Sequence, residues 1–218
     1  MADLNALAIQ RDNMVDSQVR PNFVNDVRIT SAMRVLPREA FAAAGPLAYA
    51  DADLPLGGGR FMLKPMVVAR LAQLALEVNP AHILVVGAGS GYLAAVLGLA
   101  GVEVVALEEE TRLASPVLAA CAPKVQAVTG RLDAGWPSGS PYDVIIIEGA
   151  VPEIPAALAA QLSPGGRVVT ILADDASPDA LGRAVVAEFV AGGWSTVRVF
   201  DCVAHTLPQF ALAPAFSF

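Results

Sequence analysis

The chain has 218 residues, and its 14 Lys and Arg against 21 Asp and Glu give a formal net charge of -7. This acidic balance opposes nucleic acid as a partner, because neutralising phosphates requires clustered basic side chains. Hydrophobic residues make up 55% of the sequence, yet no apolar run reaches the ~18 residues of a membrane-spanning helix. The apolar excess therefore predicts a buried core, with no membrane partner, and it also allows a homodimer interface.

The first twenty residues mix charged with apolar side chains, including Asp3, Arg11 and Asp16. A secretory signal needs an uninterrupted apolar centre, so the sequence predicts a cytoplasmic location. The two cysteines, Cys121 and Cys202, form neither a C-x-x-C pair nor a ligand spacing with a histidine. We therefore expect no metal site.

The N-terminal third combines helical periodicity with turn residues. Apolar positions recur through residues 14–44, which predicts two or three helices. Residues 49–64 contain Gly57, Gly58 and Gly59 and show little periodicity, so we interpret them as an ordered loop. A helix is predicted from Pro65 to about residue 78, because proline suits the first turn of a helix.

From residue 82 onward, short apolar runs alternate with longer Ala- and Leu-rich stretches. Continuous rather than alternating hydrophobicity indicates strands buried on both faces, hence a parallel sheet covered by helices. The predicted strands are 82–86, 102–107, 125–128, 144–147 and 168–172, and the predicted helices are 92–99, 111–122 and 154–162. Residues 195–199 and 210–218 predict closing strands, as an antiparallel edge.

A buried strand, 83–86, runs directly into Gly87, Gly89 and Gly91, and a helix follows. Glycines permit a sharp turn and close approach of a ligand, while the start of the helix offers unpaired N–H groups. Tyr92 stands where the dinucleotide fingerprint needs its third glycine, which favours a nucleoside cofactor without a pyrophosphate over NAD. The chain has no Gly-Lys pair, so it lacks a phosphate-binding loop.

Two acidic residues follow predicted strands at the edge of the sheet where ligands bind in open α/β folds. Glu108 ends the second strand, where a carboxylate can accept hydrogen bonds from both ribose hydroxyls of an adenosine. Glu148 follows the strand 144–147 and is a candidate contact to cofactor or substrate; a strand-end carboxylate without such a role is the alternative.

Several motifs, taken together, are distinctive. They are Met14-Val15 with Gln18, Ala32-Met33 with Val35-Leu36-Pro37-Arg38-Glu39 and Phe41, Tyr49 with Asp53-Leu54-Pro55-Leu56-Gly57, and Gly135-Trp136-Pro137 before Pro141-Tyr142-Asp143. Over about residues 12–172 the chain resembles the protein L-isoaspartate (D-aspartate) O-methyltransferases, which are Rossmann-like enzymes that use S-adenosylmethionine. The resemblance implies methyl transfer to a protein or peptide carboxylate and a role in protein repair.

The resemblance also implies residue roles within one methyltransferase-like domain. Residues 1–64 would supply the N-terminal helices and substrate loop, and residues 65–218 the cofactor-binding core. The substrate pocket would involve Gly58, Gly59, Arg60, Phe61, Met62, Leu63 and Lys64. The cofactor would be held by Gly87, Ala88, Gly89, Ser90, Gly91, Glu108, Glu109, Arg131, Leu132 and Glu148.

Three positions depart from the family pattern. Leu63 replaces the hydroxyl residue of a Ser-x-Pro arrangement, and leucine cannot donate a hydrogen bond; Lys64 and Arg60 remain to attract an acidic group. Arg131 stands where the family places an aspartate near the adenine amine, and arginine cannot accept a hydrogen bond from it. Glu148 replaces a small or hydroxyl residue. No catalytic residue is therefore identified.

Three functions remain open at this stage. The first is an O-methyltransferase that acts mainly by aligning a carboxylate with the donor methyl. The second is a module on the same fold that binds the cofactor or a partner without methyl transfer, as the changes at Leu63 and Arg131 allow. The third is an NAD(P)-dependent oxidoreductase, which Tyr92 disfavours.

Overall fold

A computed structural model describes residues 4–42, 45–110, 116–173 and 181–210. The N-terminal part is helical, with α1 at Leu4–Met14, α2 at Val27–Val35 and α3 at Arg38–Ala42. A π-turn and a 3₁₀-turn extend α1 to Asn22, and a 3₁₀-helix spans Gly45–Tyr49. Asp26 caps α2, because its carboxylate accepts a hydrogen bond from the Arg28 amide at 2.8 Å.

The described residues contain nine strands, which form a hairpin and a seven-stranded sheet. The hairpin pairs β1 with β2 antiparallel, and the sheet order is β5-β4-β3-β6-β7-β8-β9. Strands β3 to β7 are parallel, whereas β8 and β9 pair antiparallel at one edge. The bounds are β1 Leu54–Gly57, β2 Arg60–Met62, β3 His82–Val86, β4 Glu103–Glu108, β5 Gln126–Thr129, β6 Tyr142–Val151, β7 Leu162–Ala173, β8 Leu181–Val190 and β9 Gly193–Val203. The predicted α/β sheet with its antiparallel C-terminal edge is confirmed.

Two layers of side chains cover the faces of this sheet. On one face, Ile83 and Val85 pack with the apolar sides of α4 (Pro65–Leu76), α5 (Tyr92–Leu99) and α6 (Pro116–Cys121). On the other face, Leu84 and Val86 pack with residues of the connecting loops and of the 3₁₀-helix Ala156–Gln161. Successive strand residues thus point to opposite layers, as their alternation requires. Short 3₁₀-turns also span Pro137–Gly139 and Pro208–Phe210.

The structure differs from the sequence predictions in three places. The loop predicted for residues 49–64 is wrong for its second half, which forms the β1–β2 hairpin. The helix predicted for 154–162 is a 3₁₀-helix, and of the helix predicted for 111–122 the structure shows 116–121, since residues 111–115 lie outside the described part. The closing strand predicted for 195–199 lies within β9. Of the closing strand predicted for 210–218, Phe210 ends a 3₁₀-turn, and residues 211–218 lie outside the described part. Among the helices described, none is both long and apolar enough to cross a membrane.

Candidate functional site

The turn after β3 depends on glycine at three positions. The φ angles of Gly87, Gly89 and Gly91 are +74°, +56° and +88°, which side chains disfavour. The amides of Gly87 and Ala88 both donate to the Leu107 carbonyl, at 2.9 and 3.0 Å. The turn is therefore fixed against the end of β4, and Glu108 follows immediately.

The β1–β2 hairpin lies across this glycine turn. A Cβ atom on Gly89 would lie 3.0 Å from Leu56 Cδ1, and one on Gly87 would lie 3.3 Å from Arg60 Nη2. The same Arg60 nitrogen donates to the Gly87 carbonyl at 2.9 Å. The three glycines at the hairpin tip all have positive φ, so the chain reverses tightly and Arg60 returns toward the turn.

Arg60 and backbone amides surround the carboxylate of Glu108. Oε1 accepts from Arg60 Nη1 at 2.7 Å and from the amides of Glu109 and Glu110 at 2.8 and 3.1 Å. Oε2 accepts from Arg60 Nη2 at 2.9 Å and from the Gly89 amide at 2.7 Å. A carboxylate offers about four lone-pair positions, so these five hydrogen bonds use its whole accepting capacity.

Leu207 closes the neighbouring edge of the site. A Cβ atom on Gly149 would lie 2.6 Å from Leu207 Cγ, and one on Gly87 would lie 3.2 Å from Leu207 Cδ1 and 3.6 Å from Leu132 Cδ1. The Leu207 amide donates to the Ala150 carbonyl at 2.9 Å, which holds this segment beside the end of β6. Apolar side chains thus occupy the space directly over two backbone glycines.

Glu148 lies buried beside this cluster, with 5% of its surface exposed. Within the described part of the chain, its Oε2 has no hydrogen-bond partner. Burial raises the pKa of Glu148 well above its ordinary value, the negative charge of Glu108 adds to that effect, and the positive charges of Arg60 and Arg38 oppose it. Burial therefore shifts the side chain towards its protonated form.

The other predicted cofactor residues divide between the site and its surroundings. Leu132 is fully buried over Gly87, and the buried Ser90 hydroxyl donates to Met62 Sδ at 3.8 Å. Glu109 is exposed and reaches the cluster through its amide. Arg131 is exposed and forms an ion pair with Asp133 at 2.6 Å, so it does not join the residues around Glu108.

The predicted substrate segment does not act as one pocket wall. Gly58 and Gly59 are exposed at the hairpin tip, and Phe61 stacks on His205 with ring centroids 3.5 Å apart. Met62 and Leu63 are only 2% and 1% exposed and belong to the main core. Both side chains point into the core in this structure, and their place in a substrate pocket stays a prediction.

The remaining two residues of that segment also have unexpected partners. Lys64 is half-buried, and its amide donates to Asp53 Oδ1 at 2.7 Å. Arg60 was expected to attract an acidic group of the substrate, but it is 2% exposed and binds Glu108 instead. The hairpin explains the difference, because pairing with β1 fixes the direction of the Arg60 side chain on β2.

Sequence reasoning missed the inward position of Arg60 and the contribution of Leu207. A signal for the first was present, because two short apolar runs separated by Gly57-Gly58-Gly59 are typical of a hairpin. No comparable signal marked Leu207, which reaches the site only because the chain returns after β9.

Comparison with known proteins identifies the family. Residues 9–179 match the family model described as Protein-L-isoaspartate(D-aspartate) O-methyltransferase (PCMT). The chain belongs to this family. It is 39% identical over 188 residues to Protein-L-isoaspartate O-methyltransferase 1 of Rhodopseudomonas palustris (strain HaA2), covering 83% of this chain and 76% of that protein. The Protein-L-isoaspartate O-methyltransferase of Koribacter versatilis (strain Ellin345) is 35% identical over 207 residues, 92% of this chain and 91% of the relative.

Solved structures agree on the fold. A crystal structure of a putative protein-L-isoaspartate O-methyltransferase from Plasmodium falciparum, in complex with S-adenosyl-L-homocysteine, aligns with a TM-score of 0.76. That alignment covers 91% of this chain and 98% of the other at 16% identity. The chain is thus a PCMT-family, S-adenosylmethionine-dependent methyltransferase, and the family, fold and cofactor predictions are confirmed at that level.

In this structure the carboxylate expected to hold the ribose is hydrogen-bonded within the protein. Added Cβ atoms on the glycines of the turn would meet side chains of the hairpin, of Leu207 and of α6, so the protein itself fills that space. A ribose would find the accepting positions of Glu108 already filled by Arg60 and three backbone amides. The PCMT fold is therefore present with its expected ribose-binding acid engaged by the protein's own arginine.

Proposed function

We propose that this PCMT-family protein transfers the methyl group of S-adenosylmethionine to a carboxylate of a protein or peptide, with isoaspartyl side chains as the first class to test. The observation that supports the site is Glu108, held 2.7 Å from the Gly89 amide at the end of the strand beside the glycine turn. In open α/β sheets, ligands bind at this edge. The finer assignment of cofactor contacts to Gly87–Gly91, Glu108, Glu109, Arg131, Leu132 and Glu148 is part of the proposal.

The chemistry requires little from the protein beyond positioning. When bound, the donor supplies an activated methyl group, and a carboxylate acceptor is already ionised at neutral pH. The protein must hold the acceptor in line and exclude water, which the buried surroundings of the turn favour. No strong base is needed, so the burial of Leu63 in place of a hydroxyl does not by itself remove the reaction.

The acceptor is tested with paired peptides. An isoaspartyl peptide and the aspartyl peptide of the same sequence are incubated with radiolabelled S-adenosylmethionine, and methyl ester formation is measured. We expect label in the isoaspartyl peptide, little in its partner, and none with Glu108→Ala. Equal labelling of both peptides would contradict the isoaspartyl assignment, and no labelling of any carboxylate would contradict methyl transfer.

A second candidate is a module on the same fold that binds the cofactor but does not transfer its methyl group. The engagement of Glu108 by Arg60 and the absence of a hydroxyl at Leu63 favour it. Its signature is cofactor binding by calorimetry without labelled product from any carboxyl peptide. Enzyme and module are therefore separated by measuring binding and turnover on the same preparation.

We also propose that the whole chain forms one methyltransferase-like domain. A single methyltransferase-like domain is supported by one core cluster that contains both Leu7 of α1 and Ala204 after β9. One cooperative unfolding transition in urea is expected, and two separated transitions would contradict it. A cytoplasmic location and a homodimer stay predictions, which cell fractionation and sedimentation analysis test.

A further inference from the structure

We infer that Arg60 is an intramolecular competitor of the cofactor for Glu108, carried on a hairpin that must open before S-adenosylmethionine can bind. The inference rests on the proposed function, because it assumes that Glu108 is the acid that holds the ribose. It adds that this chain carries its own occupant of that acid. Cofactor affinity is then set by the share of molecules in which Arg60 has left.

The contact between Arg60 and Glu108 has the features of a specific pair. Its two N–H···O bonds, at 2.7 and 2.9 Å, run in parallel from one guanidinium to one carboxylate. Such two-pronged, charge-assisted bonds are stronger and more directional than single ones. The side chains are 1% and 11% exposed, so water competes little for either group. A ribose must displace both bonds rather than share the carboxylate with them.

Arg60 also blocks the ligand sterically. Its Nη2 lies 3.3 Å from where a Cβ on Gly87 would stand, and it donates to the Gly87 carbonyl. Leu56 of the same hairpin lies as close to Gly89. The hairpin therefore lies over both glycines, and moving it uncovers Gly89, whereas Leu207 and Leu132 stay beside Gly87.

The hairpin is built to move about its base. Its tip consists of three glycines, which restrict the backbone least. One strand of the pair has four residues and the other has three, so few ladder bonds hold it. At the base, the Lys64 amide is fixed to Asp53 at 2.7 Å, and Met62 is anchored in the core. The tip can thus swing while its attachment to α4 stays in place.

The charges around Glu108 suit the replacement of Arg60 by a ligand that is also a cation. Arg60, together with Arg38, opposes the raised pKa of Glu148, whereas the negative charge of Glu108 adds to that rise. When Arg60 leaves, these two carboxyl groups lose a counter-charge that lies among them. The sulfonium of S-adenosylmethionine is a cation, so the ligand that replaces Arg60 restores part of the balance.

The test compares S-adenosylmethionine binding by calorimetry in the wild type, Arg60→Met and Arg28→Gln. Methionine keeps an apolar stem but cannot donate to Glu108. Arg28, on α2 beside the Leu76 end of α4, donates three hydrogen bonds to the carboxylate of Asp26, so its loss is a matched control. We expect Arg60→Met to bind at least about tenfold more tightly than the wild type, and Arg28→Gln to match the wild type, since affinity scales with the competent fraction.

The outcomes separate this inference from the proposed function. If the wild type binds and Arg60→Met binds equally or more weakly, the competition is overturned while the methyltransferase proposal stands. If neither binds although both are folded by circular dichroism, both ideas are overturned. Tighter binding by Arg60→Met without labelling of any carboxyl peptide supports the competition and contradicts methyl transfer.

If Arg60→Met does not fold, a second variant and a measurement on the wild type still test the inference. Arg60→Lys keeps one positive donor without the planar fork, so a smaller gain in affinity is expected, and no gain overturns the inference. In the wild type, hydrogen exchange of the amides in residues 54–62 should speed up when S-adenosylmethionine is added. An ordinary ligand that leaves the hairpin in place would slow that exchange, which would contradict the opening.

Discussion

Arg60 donates through both terminal nitrogens to Glu108, at 2.7 and 2.9 Å, in a pair that lies almost entirely out of water. The two residues are 48 positions apart, and the pair joins the β1–β2 hairpin to the end of β4. Burying such charges is costly unless each is paired, so neither residue can be removed without effect on the other. This relationship links the stability of the fold to the accessibility of its cofactor site.

Removal of Glu108 should therefore destabilise the protein strongly. In Glu108→Ala the Arg60 guanidinium stays buried without an anion, and we expect a loss of about 3 to 5 kcal/mol in the free energy of unfolding. Asp133→Ala breaks the exposed pair with Arg131 and should cost less than about 1 kcal/mol. Urea denaturation of the two variants measures the difference, and equal losses would show that burial of the pair does not matter.

Restoring a hydroxyl at residue 63 should weaken the fold. Leu63 is 1% exposed in the main core, so Leu63→Ser removes buried apolar surface and leaves a cavity, with an expected loss of about 2 to 5 kcal/mol. Leu47→Ser, at a side chain 71% exposed, should change stability by less than about 0.5 kcal/mol. If Leu63→Ser were as stable as the wild type in guanidinium, that side chain would not be part of the core.

Stability should fall with rising pH because of Glu148. Its pKa in the folded state is raised above the ordinary value of 4.5, so the folded protein keeps a proton that the unfolded chain has lost. The free energy of unfolding therefore decreases as the pH rises above about 4.5, through the raised pKa. Urea midpoints from about pH 5 to about pH 8 should show a shallower decline in Glu148→Gln than in the wild type. Parallel curves would mean that Glu148 is ionised in the folded protein.

The last glycine of the turn should tolerate no side chain. In Gly91→Ala the new Cβ would lie 2.6 Å from Leu118 Cδ2 at a φ of +88°, so steric clash adds to backbone strain. Gly101→Ala, at φ +96° with open space around it, measures the strain alone. We expect about 1 to 2 kcal/mol for Gly101→Ala and about 1 to 3 kcal/mol more for Gly91→Ala. Thermal unfolding that ranked the two in the opposite order would contradict the packing of α6 on the turn.

The parallel sheet could be predicted because each strand has its own continuous apolar run. β3, from His82 to Val86, is buried on both faces and needs no partner information to be recognised. The glycine turn and Glu108 follow from the same logic, since both lie where a strand ends. The antiparallel edge was predicted from residues 195–199 and 210–218, although no strand was predicted for Leu181–Val190, which forms β8.

The pairing of Arg60 with Glu108 and the position of Leu207 could not be predicted in the same way. Arg60 is charged, and its burial depends on a partner 48 residues away that no local pattern reveals. Leu207 reaches Gly149 only through the return of the chain after β9. Such long-range side-chain partners are properties of the assembled fold, whereas strands and turns are properties of short segments.

A crystal structure of the wild-type protein grown with saturating S-adenosylmethionine would show whether the cofactor displaces Arg60 from Glu108. We expect a hairpin moved away from Gly87, with Arg60 no longer bonded to Glu108 and the ribose hydroxyls in its place. A bound cofactor beside an Arg60–Glu108 pair still at 2.7 and 2.9 Å would contradict this displacement.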